Sequence, residues 1–303
     1  MPEGLAGRVA AAREGAAVGP VLARGILRLS GRDRLDYLHR MSTQDLRPLA
    51  AGGSAYAAFL TAKGHLVGEG MVLARDEDVL LDVDPRALEA TRAHLEKFVI
   101  MDDVAVEDLS AALRVLPVLG PRGSELAAGV AGPRTANPRR GAPAVDLFLP
   151  PAEAAAARQA LLSRGVVSLD EADLEVLRIE AGIARFGADM DGERLPMEAG
   201  LTRDAIHFGK GCYIGQEVVL RATVRGQIQK GLVQLELPAG VGPGARIRAG
   251  EAEVGWVTSA AETTAGRMGL GYLRRAHWKP GERLAADGGE VRVRQVLAQE
   301  GPG

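Results

Sequence analysis

In the first third of the chain, short apolar runs alternate with stretches of helical spacing. Residues 21–29, with Ile26 and Leu29 among the apolar positions, read as a strand. Ser30 then stands where an N-cap belongs, ahead of Leu35, Leu38 and Met41 at helical intervals. A strand at 55–60, a turn at Lys63, Gly64 and His65, and a second strand at 68–74 form a predicted hairpin. Residues 79–83 give another strand. Asp84 and Pro85 then open a helix that buries Leu88, Leu95 and Phe98, and a strand returns at 104–106. Strands and helices interspersed with hairpins predict an α+β fold rather than a doubly wound parallel sheet.

Residues 129–143, rich in Gly, Pro and Arg, lack periodicity and read as a surface connector. A strand at 145–149 precedes an alanine-rich helix that begins at Pro150 and Pro151 and stops near Gly165. A second helix starts near Asp170, with Leu174, Leu177 and Ala181 on one face. From Val218 onward, alternating segments with glycine turns (GLVQLEL, ARIRAG, EVGWVTSA, MGLGYL, EVRVRQVL) predict a small antiparallel barrel. The resulting division is a poorly ordered lead-in at 1–20, an N-terminal α+β lobe at 21–108, a second α+β lobe at 109–228 and a β-barrel at 229–303. The first two lobes are open to exchanging segments.

Composition narrows the function. The formal net charge is −2 and charged residues make up 25% of the chain, with both signs interleaved, so no global field draws it to nucleic acid or an anionic membrane. One cysteine excludes a disulfide framework and an intrinsic iron–sulfur cluster, and points to a reducing, cytoplasmic compartment. No apolar stretch has the length of a membrane span, and the N-terminus lacks the apolar region of a targeting peptide. The histidines are scattered without metal-ligand spacing, and no P-loop, dinucleotide fingerprint or serine-hydrolase elbow occurs.

The segment 178–227 is different, with glycines at 182, 187, 192, 200, 209, 211 and 215. Cys212 lies between two of them, and Lys210 is two residues away. A buried inert thiol and an activated one both fit that context. Read with period two, residues 217–225 put Val218, Leu220, Ala222 and Val224 on one face. Glu217, Val219, Arg221, Thr223 and Arg225 take the other. That second face is either a solvated ion-pair face or an anion-binding rail beside the thiol. Glu198, in LPMEAGL, is either a helix-start carboxylate or, lining an apolar pocket, an acceptor for a planar NH-rich heterocycle.

The string KGCYIGQE at 210–217 resembles the signature of the YgfZ-type folate-binding proteins, relatives of the glycine-cleavage T-protein. RIEAG at 178–182, the LP-x-E-AGL around Glu198, the R-x-x-x-RG at 221–226, VGWVTSA and MGLGYLRR follow the same pattern in order. Upstream, the G-x-D-x-x-x-YL…ST-x-D-L pattern at 31–46 fits too, so the resemblance runs from Val21 to the C-terminus. It implies a three-lobed ring around a tetrahydrofolate site and a role in assembling or repairing iron–sulfur enzymes, including tRNA-modifying ones. The partners it implies are folate and iron–sulfur client or assembly proteins, with no direct nucleic-acid or membrane contact. A monomer is expected. Cys212 becomes the key thiol, with Glu198, Lys210, Tyr213, Gln216, Glu217, Arg221 and Arg225 as cofactor-site residues. A folate-dependent aminomethyl- or methyltransferase is the alternative. Two departures stand out. Thr91 falls where the T-protein carries its catalytic acid, with Glu89 nearby, and Lys230 stands where many YgfZ-type proteins have arginine.

Overall fold

The computed structural model describes residues 4–224 and 228–298. The chain opens with α1 (Gly4–Glu14) and β1 (Ala17–Val18), followed by β2 (Gly25–Ser30), α2 (Arg34–Met41), β3 (Ser54–Leu60), β4 (Leu66–Ala74), β5 (Asp78–Val83), α3 (Leu88–Lys97) and β6 (Ala105–Asp108). Strands β2 to β6 form a five-stranded sheet in the order β3-β4-β5-β2-β6, antiparallel throughout. One face packs Leu27, Leu29, Phe59, Val72 and Leu81 onto Tyr37, Leu38 and Met41 of α2 and Leu95 of α3. The other turns Ile26, Leu73 and Leu80 toward Val115 and Phe148 of the next sheet. Covered on both faces, β5 is buried at every position, which explains its continuous apolar run where a half-exposed strand would alternate.

The turn between β3 and β4 is closed by the Thr61 amide on the His65 carbonyl, 2.9 Å, and by Gly64 in the left-handed region at φ +75°. Three local expectations need correction. Asp33, not Ser30, precedes α2, and no side chain caps it. The Asp84 carboxylate accepts the Arg86 amide (3.0 Å) and holds its guanidinium in a turn, so α3 begins only at Leu88. Phe98 is 36% exposed, because α3 ends at Lys97 and Phe98 is only its C-cap.

The second sheet is built from β7 (Arg114–Leu119), β8 (Arg134–Ala136), β9 (Ala144–Leu149) and β10 (Val167–Ser168), with α4 (Gly123–Ala128), α5 (Pro151–Ser163) and α6 (Glu171–Glu180). Its order is β10-β1-β7-β9-β8, so the N-terminal strand β1 sits inside it, antiparallel to β7 and parallel to β10. The lead-in is therefore not poorly ordered. Val9 and Ala12 of α1 pack with Leu169, Val176 and Leu177, and Arg8–Asp173 (2.8 Å) and Arg13–Glu180 (2.7 Å) tie α1 to α6. A segment without amphipathic periodicity is held here by long-range contacts that local pattern does not show. Nor is 129–143 a bare connector, since it carries β8 and a single 3₁₀ turn at Pro138–Arg140. The α6 helix starts with a capping box: Asp170 accepts the Asp173 amide (2.8 Å), and Asp173 accepts the Asp170 amide (3.1 Å).

After α7 (Thr202–Ala205) and α8 (Gln216–Val224), the chain ends in β11 (Lys230–Glu236), β12 (Arg246–Ala249), β13 (Ala252–Thr263), β14 (Gly266–Arg274), β15 (Arg283–Ala286) and β16 (Gly289–Val296). These close into a barrel in the order β11-β14-β13-β12-β15-β16, filled by Val233, Leu235, Ile247, Val257, Leu273 and Val291. Arg178 of α6 pins the barrel to the second lobe. It bonds Asp189 (2.7 Å), Ser259 (2.7 Å) and Glu175 while only 6% exposed. Among the described residues, no helix is long and apolar enough to cross a membrane.

Candidate functional site

The KGCYIGQE segment is a loop leading into a helix, and its anchor is Lys210. The Lys210 side chain is 5% exposed, and its ammonium donates to the carbonyls of His39, Ser42 (2.6 Å) and Gln44 (2.8 Å). These carbonyls belong to the C-terminal turn of α2 and the residues just after it, where helix carbonyls lack internal N–H donors and a cation is favoured. Burial pushes the Lys210 pKa down to about 8, with Asp45 opposing and Arg47 reinforcing the shift. Lys210 thus faces the first lobe and holds the loop down. The ring of Tyr213 lies 5.1 Å from the ammonium, and burial raises its hydroxyl to about 12. Cys212 is exposed between these two anchored residues.

Gly215 makes the bend that follows. Its φ is +84°, and a Cβ there would lie 2.7 Å from the Thr61 carbonyl and 3.3 Å from Gly64. The cysteine loop therefore rests directly on the β3–β4 turn, with Val218 against Gly64. The segment after Gly215 is helical, so the expected strand with an anion-binding rail is overturned. The branched residues mimicked a period of two. A better signal was Glu217 four residues before Arg221, with Val219 and Ala222 turned inward. Glu217 and Arg221 pair with each other, their side chains 83% and 68% exposed. Gln216 is half-buried at the helix start, its amide on the Tyr213 carbonyl at 3.3 Å. Arg225 lies outside the described residues.

Glu198 occupies a different wall. It is 8% exposed, and its Oε2 accepts the Leu195 amide at 3.2 Å. That is its one side-chain hydrogen bond among the described residues, and the residue lines a cavity of about 680 Å³. Leu195, Ala222 and Ile228 supply apolar wall, while Lys230, Arg274 and Arg275 supply cationic wall. Of the residues expected at the site, Glu198 reaches this cavity. Lys210, Cys212, Tyr213, Gln216, Glu217 and Arg221 are not among its lining. Ala222 of α8 links the two regions.

Sequence reading missed a cation–aromatic stack nearby. Trp256 and Tyr272 are cross-strand partners in β13 and β14 and stack at 5.2 Å. Arg194 stands over both rings, at 5.4 and 5.1 Å, and Lys230 approaches Trp256 at 5.9 Å. The Tyr272 hydroxyl is buried without a partner. Burial lifts it well above the usual phenol range, against the pull of Arg194 and with the help of Asp189 and Glu198. Only the β13–β14 register reveals this group, and that register is not visible in either strand alone.

Residues 1–138 match the GCVT N-terminal domain, and residues 229–297 match the CAF17 C-terminal β-barrel domain. Over 291 residues the chain is 32% identical to the mitochondrial iron–sulfur cluster assembly factor IBA57 of Mus musculus, covering 81% of this chain and 78% of that protein. The chain belongs to the YgfZ-type family of the T-protein superfamily. It is 29% identical over 232 residues to the tRNA-modifying protein YgfZ of Serratia proteamaculans, covering 71% of this chain and 69% of that one. A putative chloroplastic transferase of Arabidopsis thaliana is 25% identical over 275 residues, 83% of this chain, which spans 63% of that longer protein. The aminomethyltransferase T of Bartonella henselae shares the fold, with a TM-score of 0.85 at 20% identity over 100% of this chain and 91% of that one.

Thr91 is the residue expected in place of the T-protein acid. Thr91 is fully buried in α3, its hydroxyl without a partner. A Cβ on Gly68 of β4 would lie 2.2 Å from the Thr91 hydroxyl. Glu89 is 78% exposed and paired with Arg92, so a small register shift does not return a carboxylate to the inner face of the helix.

Proposed function

We propose that this chain binds tetrahydrofolate in the Glu198 cavity and supports the assembly or repair of iron–sulfur enzymes, with the exposed Cys212 as its working thiol. The observation that carries the folate reading is the Glu198 carboxylate. It is nine-tenths buried, bonded through one oxygen, and set in a wall that also holds three cationic side chains.

The residues present fit such a cofactor. A pterin edge offers adjacent N–H donors, which a buried carboxylate accepts as a pair. Leu195 and Ile228 suit its flat faces. Lys230, Arg274 and Arg275 suit the carboxylates at the other end of the molecule. The volume lies within the range of small-molecule sites. Tetrahydrofolate would supply a one-carbon unit or the binding energy of its ring, and the protein's part is to orient it and to exclude water from Glu198. The names of its relatives, an iron–sulfur cluster assembly factor and a tRNA-modifying protein, support the maintenance role. The absence of a carboxylate from the inner face of α3 weighs against aminomethyl transfer.

A calorimetric titration with tetrahydrofolate, run on the wild type and on Glu198→Ala, tests the site. Micromolar binding that the variant loses is expected, and a variant that binds as well as the wild type rules out this cavity. For the thiol, Cys212→Ala should fail to restore iron–sulfur enzyme activity in a strain lacking the protein. Full restoration would remove Cys212 from the mechanism.

A further inference from the structure

Just after α3 the chain turns three large apolar side chains toward solvent. Ile100 is 83% exposed, Met101 94% and Phe98 36%, whereas Val99 among them packs into the core of the first lobe. Among the described residues, Leu220 of α8 is the one other large apolar side chain this open. Exposed apolar residues scattered singly are ordinary, but a contiguous group marks a contact surface.

The tip is not a frayed end. Asp102 accepts the Arg40 guanidinium of α2 at 2.6 Å, the Asp103 amide donates to the Asp33 carboxylate at 2.8 Å, and the Asp33 amide donates to the Asp103 carbonyl at 3.3 Å. A Cβ on Gly31 would lie 2.0 Å from that carbonyl, so the loop runs hard against the residues leading into α2. Phe98 is braced by the His94 ring, edge-on at 5.3 Å, and by the Lys97 ammonium, 5.6 Å from its centroid. A fixed loop thus holds Ile100 and Met101 outward, and docking against them orders little that is not already ordered.

The charge around the tip indicates what covers it. Each nearby guanidinium is shared by two carboxylates: Arg32 by Asp33 and Asp103, Arg40 by Asp36 and Asp102, and Arg92 by Glu89 and Glu96. With Lys97 added, four cations face six carboxylates, a surplus of two negative charges around an apolar patch. We propose that the 98–101 tip docks a basic amphipathic segment of a partner protein, its apolar side on Ile100, Met101 and Phe98 and its lysines or arginines on the surplus carboxylates. A second copy of this chain would bring the same negative surplus against itself, and an anionic lipid surface would be repelled by it. Methionine, flexible and polarizable, suits an apolar contact that must fit a varied partner. Arg40 follows His39, whose carbonyl takes the Lys210 ammonium, so the docked segment rests on the helix that also anchors the Cys212 loop.

The test places a photo-crosslinking residue in the full chain inside cells, in place of Met101 and, as a control, in place of the exposed Ala152 of α5. The Met101 position should give a protein adduct that the Ala152 position does not, joined through a stretch of net positive charge that includes apolar residues. That stretch is then made as a synthetic peptide, and its affinity for the full chain is measured by fluorescence anisotropy. The double variants Ile100→Ser with Met101→Ser and Asp36→Lys with Glu96→Lys should each weaken binding at least about tenfold. Their melting temperatures should stay near that of the wild type, since all four side chains are exposed, which separates lost contact from lost fold. No adduct above the control would overturn the proposal, as would an adduct to an acidic stretch, to lipid or to a second copy of the chain. So would an affinity indifferent to either double variant.

Discussion

Replacing Lys210 with methionine separates two forces that act on the same ammonium. At pH 7 the side chain donates to three main-chain carbonyls at the end of α2, and methionine keeps its volume while removing every donor. A hydrogen bond to a charged group contributes about 1.5–3 kcal/mol, but taking the ammonium out of water costs several kcal/mol. The net loss for Lys210→Met is then about 2–4 kcal/mol, or roughly 3–6 °C in melting temperature for a chain of this size. The pH dependence tells which force sets the proton affinity. Burial lowers the folded-state pKa to about 8 from 10.5, so between those values the unfolded chain binds more protons than the folded one. Wild-type stability should therefore rise relative to Lys210→Met as pH climbs from about 8 to 10.5, with a slope of up to about 1.4 kcal/mol per pH unit. Chemical denaturation of both proteins across that window measures the gap. A gap that narrows with rising pH would refute the reasoning, because the carbonyl cage would then outweigh burial. A gap near zero at pH 7 would refute the anchoring role itself.

Arg178→Met should cost about 3–5 kcal/mol, since it strands Asp189, which is 2% exposed, at the joint between α6 and the barrel; urea denaturation checks this, and a loss below about 1 kcal/mol would mean that Asp189 is satisfied by Ser259, Thr258 and the Arg185 amide. Gly215→Ala places a Cβ 2.7 Å from the Thr61 carbonyl at positive φ, so the loop must shift, and the rate of Cys212 labelling by a soluble disulfide reagent should change along with a melting temperature lowered by several degrees; an unchanged labelling rate would show that the bend does not position the thiol. Removing residues 1–14 should expose the Leu177 region of α6 and accelerate amide exchange in β1 and β10, because Val9, Ala12 and two ion pairs leave together; unaltered exchange would return α1 to the status of a loose lead-in.

What local pattern could and could not reveal follows from the range of the forces involved. The β3–β4 hairpin, the Pro151 helix start and the barrel strands were readable because turn residues, proline geometry and alternation act over a few residues. Elements held by distant partners were not. The α1 helix has almost no amphipathic signal of its own, and it is fixed by Asp173 and Glu180, each more than 160 positions away. The same rule explains the Gln216–Val224 error, since Val218, Val219 and Val224 favour a strand until Gly215 and the packing surface under Val219 are known.

The candidate site divides along the same line. Its chemistry-bearing motif was legible as a string, but the string contains residues with opposed tasks. Lys210 spends its charge on the first lobe, which takes it away from both Cys212 and the Glu198 cavity, and Glu217 with Arg221 makes a solvated helical pair. The cavity's cationic side instead comes from Lys230, Arg274 and Arg275, at the ends of β11 and β14, which lie side by side only because Lys230 pairs with Arg274 in the closed barrel. A signature can thus mark where a loop must be held without listing what the held loop serves. The ligand-facing groups are then to be sought where the barrel brings strand ends together beside Glu198.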